Sequence, residues 1–158
     1  MEILFIMQSS QKLEDITSKE YLDKTLESAK SWCSTQLRAH LYGFNNGFDY
    51  DIFHYVINNE MIGSAMCLDD KEEGLIRVST KKLQWYIERE KHFEQYGLKE
   101  PETDPESIFI HEITEFLVHK IPEIFLHYFS KMEFPHSVAR KIENINRRER
   151  GLKEWYMG

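Results

Sequence analysis

The feature that most constrains this chain is a segment that carries helix signals at both of its ends, residues 105–120. It opens with Thr103-Asp104-Pro105-Glu106, which offers an oxygen-bearing cap, a proline in the first turn and a glutamate three residues after Thr103. Pro122 cannot continue a helix and ends the segment. Between these limits, apolar residues recur at the spacing that gives a helix one buried face: Phe109, Ile110, Ile113, Phe116 and Leu117. The pattern predicts a helix over residues 105–120 that packs against the core.

The same segment contains the run His111-Glu112-Ile113-Thr114-Glu115. Residues four apart lie one above the other on a helix, so His111 and Glu115 point the same way, as two ligands of one metal ion must. Glu112 lies about 100° round the helix from His111. From there its carboxylate can reach a water on that ion without binding the ion itself. The run therefore predicts a candidate metal site.

A third ligand must come from another element, and His136 is the best candidate. His136 begins the last predicted helix, from 136 to about 156, where Ala139, Arg140 and Glu143 lie within about 100° of it. Buried histidine and glutamate need partners because unpaired buried charge is costly, and one metal ion would satisfy several of them. Two alternatives stay open. In the first, no metal binds and the two polar helix faces are solvated or joined by salt bridges. In the second, His119, one turn beyond Glu115, replaces one of the three ligands.

Length and composition predict one domain over residues 1–158, in which 1–104 form a helix and a sheet and 105–158 form the helical region of the metal site. Apolar residues make up 41% and charged residues 30% of the chain, as in ordinary globular proteins. The longest apolar run, Ile3–Met7, is too short to cross a bilayer and lacks the flanks of a signal peptide. Cys33 and Cys67 have no metal-binding or disulfide spacing and are expected to be buried thiols. Together these features predict a cytoplasmic protein with no membrane partner.

The net charge of −7 argues against a general nucleic-acid binder, since phosphate binding draws on a basic surface. Basic residues do gather near the C-terminus, at Arg140-Lys141 and in the run Arg147–Arg150. Glu143, Glu149 and Glu154 interrupt them. We therefore expect a solvated helix face there.

The remaining elements predict an α+β fold, with a small, mostly antiparallel sheet of three to four strands packed with helices. A long helix is expected from Thr17/Ser18 to Gly43, where apolar residues recur in steps of three and four. Strands are predicted at 2–8, 48–57, 61–68 and 75–80, and the second and third would form a hairpin across Asn58-Asn59-Glu60. Further helices are predicted at 81–96 and 122–132, with His127 packed among aromatic residues of the latter.

The run HEITE resembles the HExxH helix of zinc metallopeptidases, with Glu115 where the second histidine usually stands. The order of elements before it, a long helix, three strands and then this helix, resembles a minimal zincin core. Over residues 108–143, the pattern HE-x-x-E-x-L followed by H-x-x-A-x-x-x-E is similar to phage and prokaryotic proteins of metallopeptidase type.

This resemblance implies that His111, Glu115 and His136 bind a catalytic metal ion and that Glu112 is the general base of a peptide hydrolase. Glu143 would be a fourth ligand or would orient His136. Zinc is the implied metal, and the extra carboxylate makes manganese or iron plausible beside it. By analogy with zincins, Leu75–Thr80 would line the cleft for a peptide or protein substrate.

Three other functions are compatible with these residues. A carboxylate-bridged di-metal site would use Glu112, Glu115, His136 and Glu143, although neither helix carries the Glu-x-x-His pair that such bundles use. A metal-dependent nuclease would need basic groups near the metal, for which only Arg140 and Lys141 are candidates. A non-catalytic metal-binding or interaction protein would hold the ion with no open position.

Overall fold

The computed structural model describes residues 16–38, 49–60, 63–68, 74–120 and 135–156. These residues form helices α1 (Lys19–Arg38), α2 (Thr80–Glu94), α3 (Pro105–Lys120) and α4 (Pro135–Glu149), and strands β1 (His54–Ile57), β2 (Met66–Leu68) and β3 (Leu75–Val78). The α+β class predicted from the sequence is confirmed. The predicted strand at 2–8, the helix at 122–132, His127 and Gly43 lie outside the described residues.

The three strands form a mixed sheet in the order β1-β3-β2. β1 runs parallel to β3, with His54 opposite Leu75, whereas β2 runs antiparallel to β3, with Met66 opposite Val78. The predictions of a mostly antiparallel sheet and of a hairpin between the strands at 48–57 and 61–68 are therefore wrong. Both strands pair with β3, which lies between them.

The segment after β1 explains why no hairpin forms. The amide of Asn58 donates to the carbonyl of Val78 at 2.8 Å and so extends the parallel pairing beyond the strand. The side-chain oxygen of Asn59 then accepts from the backbone N–H of Thr80 at 2.9 Å, at the start of α2. Asn59 thus ties this segment to the first turn of α2, whose cap is Ser79.

Helix α3 lies at the centre of the molecule and is buried on most of its surface. It packs against α1 on one side and α4 on the other, and it also contacts β2. The periodicity predicted for α1 is confirmed, since the following residues are buried in the core: Leu22, Leu26, Ala29, Cys33 and Leu37. Cys33 and Cys67 do not form a disulfide, and Cys33 is buried as predicted whereas Cys67 is only half-buried. Among the described residues, no helix is both long and apolar enough to cross a membrane.

Helix α3 begins at the predicted residue, but its cap is Asp104 and not Thr103. A carboxylate oxygen of Asp104 accepts from the backbone N–H of Ser107 at 2.9 Å and from its hydroxyl at 2.6 Å. The N-terminal end of α3 meets the C-terminal end of α4, because Arg150 contacts both Asp104 and Glu106. The two helices are therefore antiparallel.

Helix α4 ends at Glu149, well before the predicted end near residue 156. Gly151 follows with a φ of 73°, a left-handed conformation that favours glycine and ends helices. The chain then folds back along α4, where the Asn144 side chain binds both the N–H and the C=O of Trp155, at 2.8 and 3.1 Å. This return brings the Trp155 ring against the inner face of α4.

Candidate metal centre

Three metal-ligating side chains converge where α3 and α4 face each other. Nε2 of His111 lies 3.0 Å from Oε1 of Glu115 and 3.0 Å from Nδ1 of His136. Nδ1 of His136 lies 2.9 Å from the same Glu115 oxygen. The structure therefore brings together one group of three possible ligands, His111, Glu115 and His136.

These three atoms cannot all satisfy one another by hydrogen bonds. Each pair of atoms needs a hydrogen between them, but only the two ring nitrogens can carry one, and the carboxylate oxygen can only accept. If both nitrogens carry a hydrogen, their close contact is repulsive. Three lone pairs that meet at one point are instead what a cation requires, and atoms at these separations can all lie roughly 2.0–2.2 Å from one ion.

Exposure changes steeply across the group. The side chain of His111 is 7% exposed, that of Glu115 is 24% exposed and that of His136 is 64% exposed. The group thus has a buried side at His111 and an open side at His136. Such openness suits a catalytic site better than the closed set of protein ligands found in structural zinc sites.

Glu143 lies behind His111, outside the group of three. Its Oε1 accepts from Nδ1 of His111 at 3.0 Å. Glu143 therefore orients His111, whereas the resemblance implied that it would orient His136. A carboxylate on one ring nitrogen fixes the tautomer and leaves the other nitrogen, Nε2, to bind metal. The structure gives Glu143 this orienting contact, not a place among the three converging atoms.

Glu143 is itself held by three further donors. Nη1 of Arg140 donates to Oε1 at 3.1 Å, while Nε of Arg147 and Nε1 of Trp155 donate to Oε2 at 2.8 and 2.7 Å. Both carboxylate oxygens are therefore occupied, as a buried charge requires. Burial by itself raises the pKa of Glu143, but the bond to His111 and the charges of both arginines hold that pKa below its usual value.

The two carboxylates that flank His111 also govern its protonation. Burial disfavours the charged imidazolium, yet the hydrogen bonds to Glu115 and Glu143 outweigh burial and raise the pKa of His111 to about 9. The same contact with His111 lowers the pKa of Glu115, against the effect of burial. At neutral pH the site therefore holds a proton on His111, which any metal ion that bound there would have to displace.

Glu112, the predicted general base, follows His111 on α3. It is buried beside the group of three and lines the same cavity as His111 and His136. Burial and the nearby charge of Glu115 raise the pKa of Glu112 to about 7, although the charge of His111 and a hydrogen bond from the Leu68 backbone oppose the rise. A carboxyl group in this condition can accept and return a proton near neutral pH.

The cavity beside the group has a volume of about 330 Å³. On the sheet side it is lined by Ser64, Ala65 and Met66, at and just before β2. By analogy with zincins, Leu75–Thr80 was predicted to line the substrate cleft. In the structure those residues include β3, which is the central strand, and β2 is the strand that contacts the helix of the site. β2 is therefore the strand that lies beside the candidate centre.

Two predictions about individual residues are changed by the structure. His119 is exposed on the last turn of α3 and lies outside the group of three. Arg147, which was expected on a solvated face, is 1% exposed and bound to Glu143. Sequence reasoning missed this role, although a signal was present: His136, Arg140, Glu143 and Arg147 follow one another in steps of four, three and four, which places them on one face of α4.

Comparison of the chain with protein-family models, with curated proteins and with solved structures gave no match. The function of the chain must therefore be inferred from its own residues. The group formed by His111, Glu115 and His136, with Glu112 beside it, is the part of the described structure that carries most chemistry.

Proposed function

We propose that this protein is a metal-dependent hydrolase of peptidase type. The observation that carries the proposal is the convergence of three ligand atoms, from His111, Glu115 and His136, within 3.0 Å of one another beside a cavity that Glu112 also lines. Two nitrogens and one carboxylate oxygen form a ligand set that catalytic zinc uses. Manganese and iron are the alternatives, because a carboxylate in place of a third nitrogen makes the site harder.

Each side chain has a distinct part in the proposed reaction. His111, Glu115 and His136 would hold a divalent ion, which would lower the pKa of a bound water towards about 7. Glu112 would accept the proton that a water molecule loses as its oxygen attacks the amide carbon. The same carboxyl then gives the proton to the departing amine as the C–N bond breaks. Glu143 keeps His111 in the tautomer that binds metal.

The side of β2 that faces away from β3, which is an edge of the sheet formed by the described residues, supports a peptide as the substrate. The backbone N–H of Leu68 points away from β3, because it donates to Glu112 on α3. In an antiparallel strand the backbone groups two residues apart point to the same side, so those of Met66 also face away from β3. Met66 lines the cavity. An extended peptide that paired with Met66 would thus lie alongside Glu112, by the addition of a strand to a sheet edge.

The order of elements supports the same proposal. A long helix, a small sheet with an antiparallel strand beside the site, and a central helix that carries His111 and Glu115 are what a minimal zincin-like core would contain. We propose this relationship as the origin of the site. The carboxylate at position 115 would be its main departure from the usual pair of histidines.

Elemental analysis of the purified protein tests the site directly. We expect about one equivalent of zinc, manganese or iron in the wild type and in Glu112→Gln, and loss of the metal in the double variant His111→Ala/His136→Ala. His119→Ala is the matched control, because it removes an exposed histidine from the same helix and should leave the metal content unchanged. A double variant that keeps the metal would refute this assignment of ligands.

Hydrolysis assays test the second half of the proposal. Metal-loaded wild type should cleave peptides, and Glu112→Gln should lower the rate by at least about 100-fold while it keeps the metal. Cleavage of nucleic acid in place of peptide would favour the nuclease alternative. Full metal occupancy without cleavage of either substrate would show a non-catalytic metal-binding protein.

A further inference from the structure

Arg140 lies in the cavity one helical turn from a proposed metal ligand. His136, Arg140, Glu143 and Arg147 form one stripe along α4, and all four line the cavity. Nη1 of Arg140 and Nδ1 of His111 contact the same oxygen of Glu143, at 3.1 and 3.0 Å. A group bound at Arg140 would therefore lie within about one or two amino-acid residues of a group bound at the metal site.

The two arginines of the stripe differ in what they can still bind. Arg147 is 1% exposed and donates to Glu143, to the carbonyl of Glu102 at 3.0 Å and to the carbonyl of Lys153 at 3.4 Å. Arg140 is 26% exposed and donates through Nη1 to Glu143. Its other N–H groups have no hydrogen-bond partner in the described part of the chain. Arg140 is thus the arginine of this cavity with binding capacity left.

The guanidinium of Arg140 is also held in one orientation. It lies over the Trp155 ring, 4.5 Å from the ring centroid, and the ring is fixed in turn by the bond from Nε1 to Glu143. Stacking on an aromatic face and a bond to a carboxylate leave the plane of the guanidinium defined before any ligand binds. A planar guanidinium with free N–H groups suits a carboxylate, to which it can donate two parallel bonds.

We propose that Arg140 binds a carboxylate that the substrate carries on the residue next to the scissile bond. This inference rests on the proposed function and specifies its substrate class: peptides that place a negative charge one residue from the cleaved amide. Such a carboxylate has two sources, the free C-terminus of a peptide or the side chain of an aspartate or glutamate. Arg140 is then a specificity residue of the site.

Binding to the zinc-loaded Glu112→Gln variant tests the inference without turnover. Three probes are titrated by calorimetry: N-acetyl-alanyl-alanine with a free carboxylate, its C-terminal amide, and N-acetyl-alanyl-glutamate amide. We expect the first or the third to bind at least about tenfold more tightly than the neutral amide, and the tighter of the two identifies the source of the carboxylate. Equal affinities for all three, or no binding of any, would overturn the inference.

The double variant Glu112→Gln/Arg140→Gln assigns the preference to Arg140. It should bind the carboxylate probes no more tightly than the neutral amide, while Glu112→Gln/Arg148→Gln, which removes an exposed arginine of the same helix, should keep the preference. Zinc content and melting temperature of each variant show whether Glu143 and His111 stay in place. A preference that survives Arg140→Gln would mean that the carboxylate binds the metal, and it would refute the role of Arg140.

Failure of this inference can be told apart from failure of the proposed function. Zinc that is retained by Glu112→Gln and lost with the two histidines supports the metal site whatever the probes do. Conversely, a carboxylate preference that depends on Arg140 can be measured even if the wild type cleaves no peptide. Each result is read from a different quantity, metal equivalents in one case and a ratio of dissociation constants in the other.

Discussion

The antiparallel pair α3 and α4 holds a polar cluster at each end, and the two clusters obey different rules. At one end Arg150 meets Asp104 and Glu106, with Nε 2.9 Å from Glu106. At the other end His111 and His136 meet Glu115. In both clusters, side chains of opposite charge join the two helices. The clusters differ in whether they have enough N–H and O–H hydrogens to place one between each pair of polar atoms in close contact.

The Arg150 end is complete as it stands. The Nη2 group of Arg150 donates to Asp104 and, at 2.7 Å, to the Ser107 hydroxyl, and its Nε donates to the Asn146 side-chain oxygen at 2.8 Å. Glu106 is held by its charge, which needs no further hydrogen. The histidine end is incomplete, because three atoms converge and fewer hydrogens are available than contacts. Proximity of histidine and glutamate therefore does not by itself distinguish a salt bridge from a metal site. A shortage of hydrogens for the contacts made is the feature that favours a metal site at the histidine end.

The largest effect is expected from removal of the carboxylate that lies between the two ends. Glu143→Ala leaves the buried guanidinium of Arg147 without its charged partner, and removal of one member of a buried pair costs about 3–5 kcal/mol. Metal affinity should also fall, by about 10–100-fold, because His111 loses the group that orients it. Urea unfolding and metal titration measure the two effects.

The matched control for Glu143→Ala is Glu154→Ala. Glu154 forms an ion pair with Arg148 at 2.7 Å, but on the surface of the same part of the molecule. Its removal should leave both the unfolding midpoint and the metal affinity unchanged. Equal losses in the two variants would show that Glu143 has no special place in the fold.

The next effect is a dependence of the free energy of unfolding on pH. His111 at one end and Asp104 at the other should change it in opposite directions. In metal-free protein the pKa of His111 is raised from 6.5 to about 9, so its stabilisation is present below pH 6.5 and is lost as the pH rises through about 9. The loss should be about 3 kcal/mol. At the other end burial raises the pKa of Asp104, but bonds from Arg150 and Ser107 hold that pKa below its usual value. Its stabilisation is therefore lost in acid.

Unfolding of chelator-treated protein between pH 6 and pH 10 measures the histidine end, with His111→Gln as the reference that lacks it. Metal-loaded protein should show the reverse slope, because the metal competes with a proton for His111 and binds more tightly as the pH rises. Parallel curves for the treated and the metal-loaded protein would contradict a metal site at His111.

A smaller effect is expected at the Arg150 end. Asp104→Ala removes the cap of α3 and one partner of Arg150, and we expect a loss of about 1–2 kcal/mol. Asp104→Asn should recover part of it, because asparagine caps as well as aspartate but carries no charge. Metal content should stay the same in both variants. Loss of metal on either change would mean that the two ends are not independent.

The parts of the site that lie close together in sequence could be predicted from it. His111, Glu112 and Glu115 share one helix, whose limits are encoded by Asp104, Pro105 and Pro122, so their relative directions follow from helix geometry. His136 could be named as a partner only because it is a histidine at the start of the next polar helix face. The contacts that complete the site could not be predicted, because they depend on how α4 meets α3 and on where the chain goes after Glu149.

The sheet shows the same limit. Short apolar segments identified the three strands, and the order of the strands in the sheet was predicted wrongly. Strand pairing is a contact between distant residues, and the polar segment Asn58-Asn59-Glu60 has the composition of a hairpin turn. Only the structure shows that Asn59 binds the start of α2. Local composition thus specified elements, and side-chain contacts across the chain specified their arrangement.

The smallest effect concerns the turn that returns the chain to α4. Trp155→Phe removes the Nε1 donor to Glu143 but keeps an aromatic ring beneath Arg140, so stability should fall by only about 1 kcal/mol and metal affinity by a few-fold. Trp32→Phe is the matched control, because it removes a bond of the same length, 2.7 Å, to the exposed Glu149. Metal affinity should fall only in Trp155→Phe. If both variants keep the metal affinity of the wild type, Arg140 and Arg147 suffice to hold Glu143. The segment that follows α4 and carries Trp155 is then not needed to orient His111.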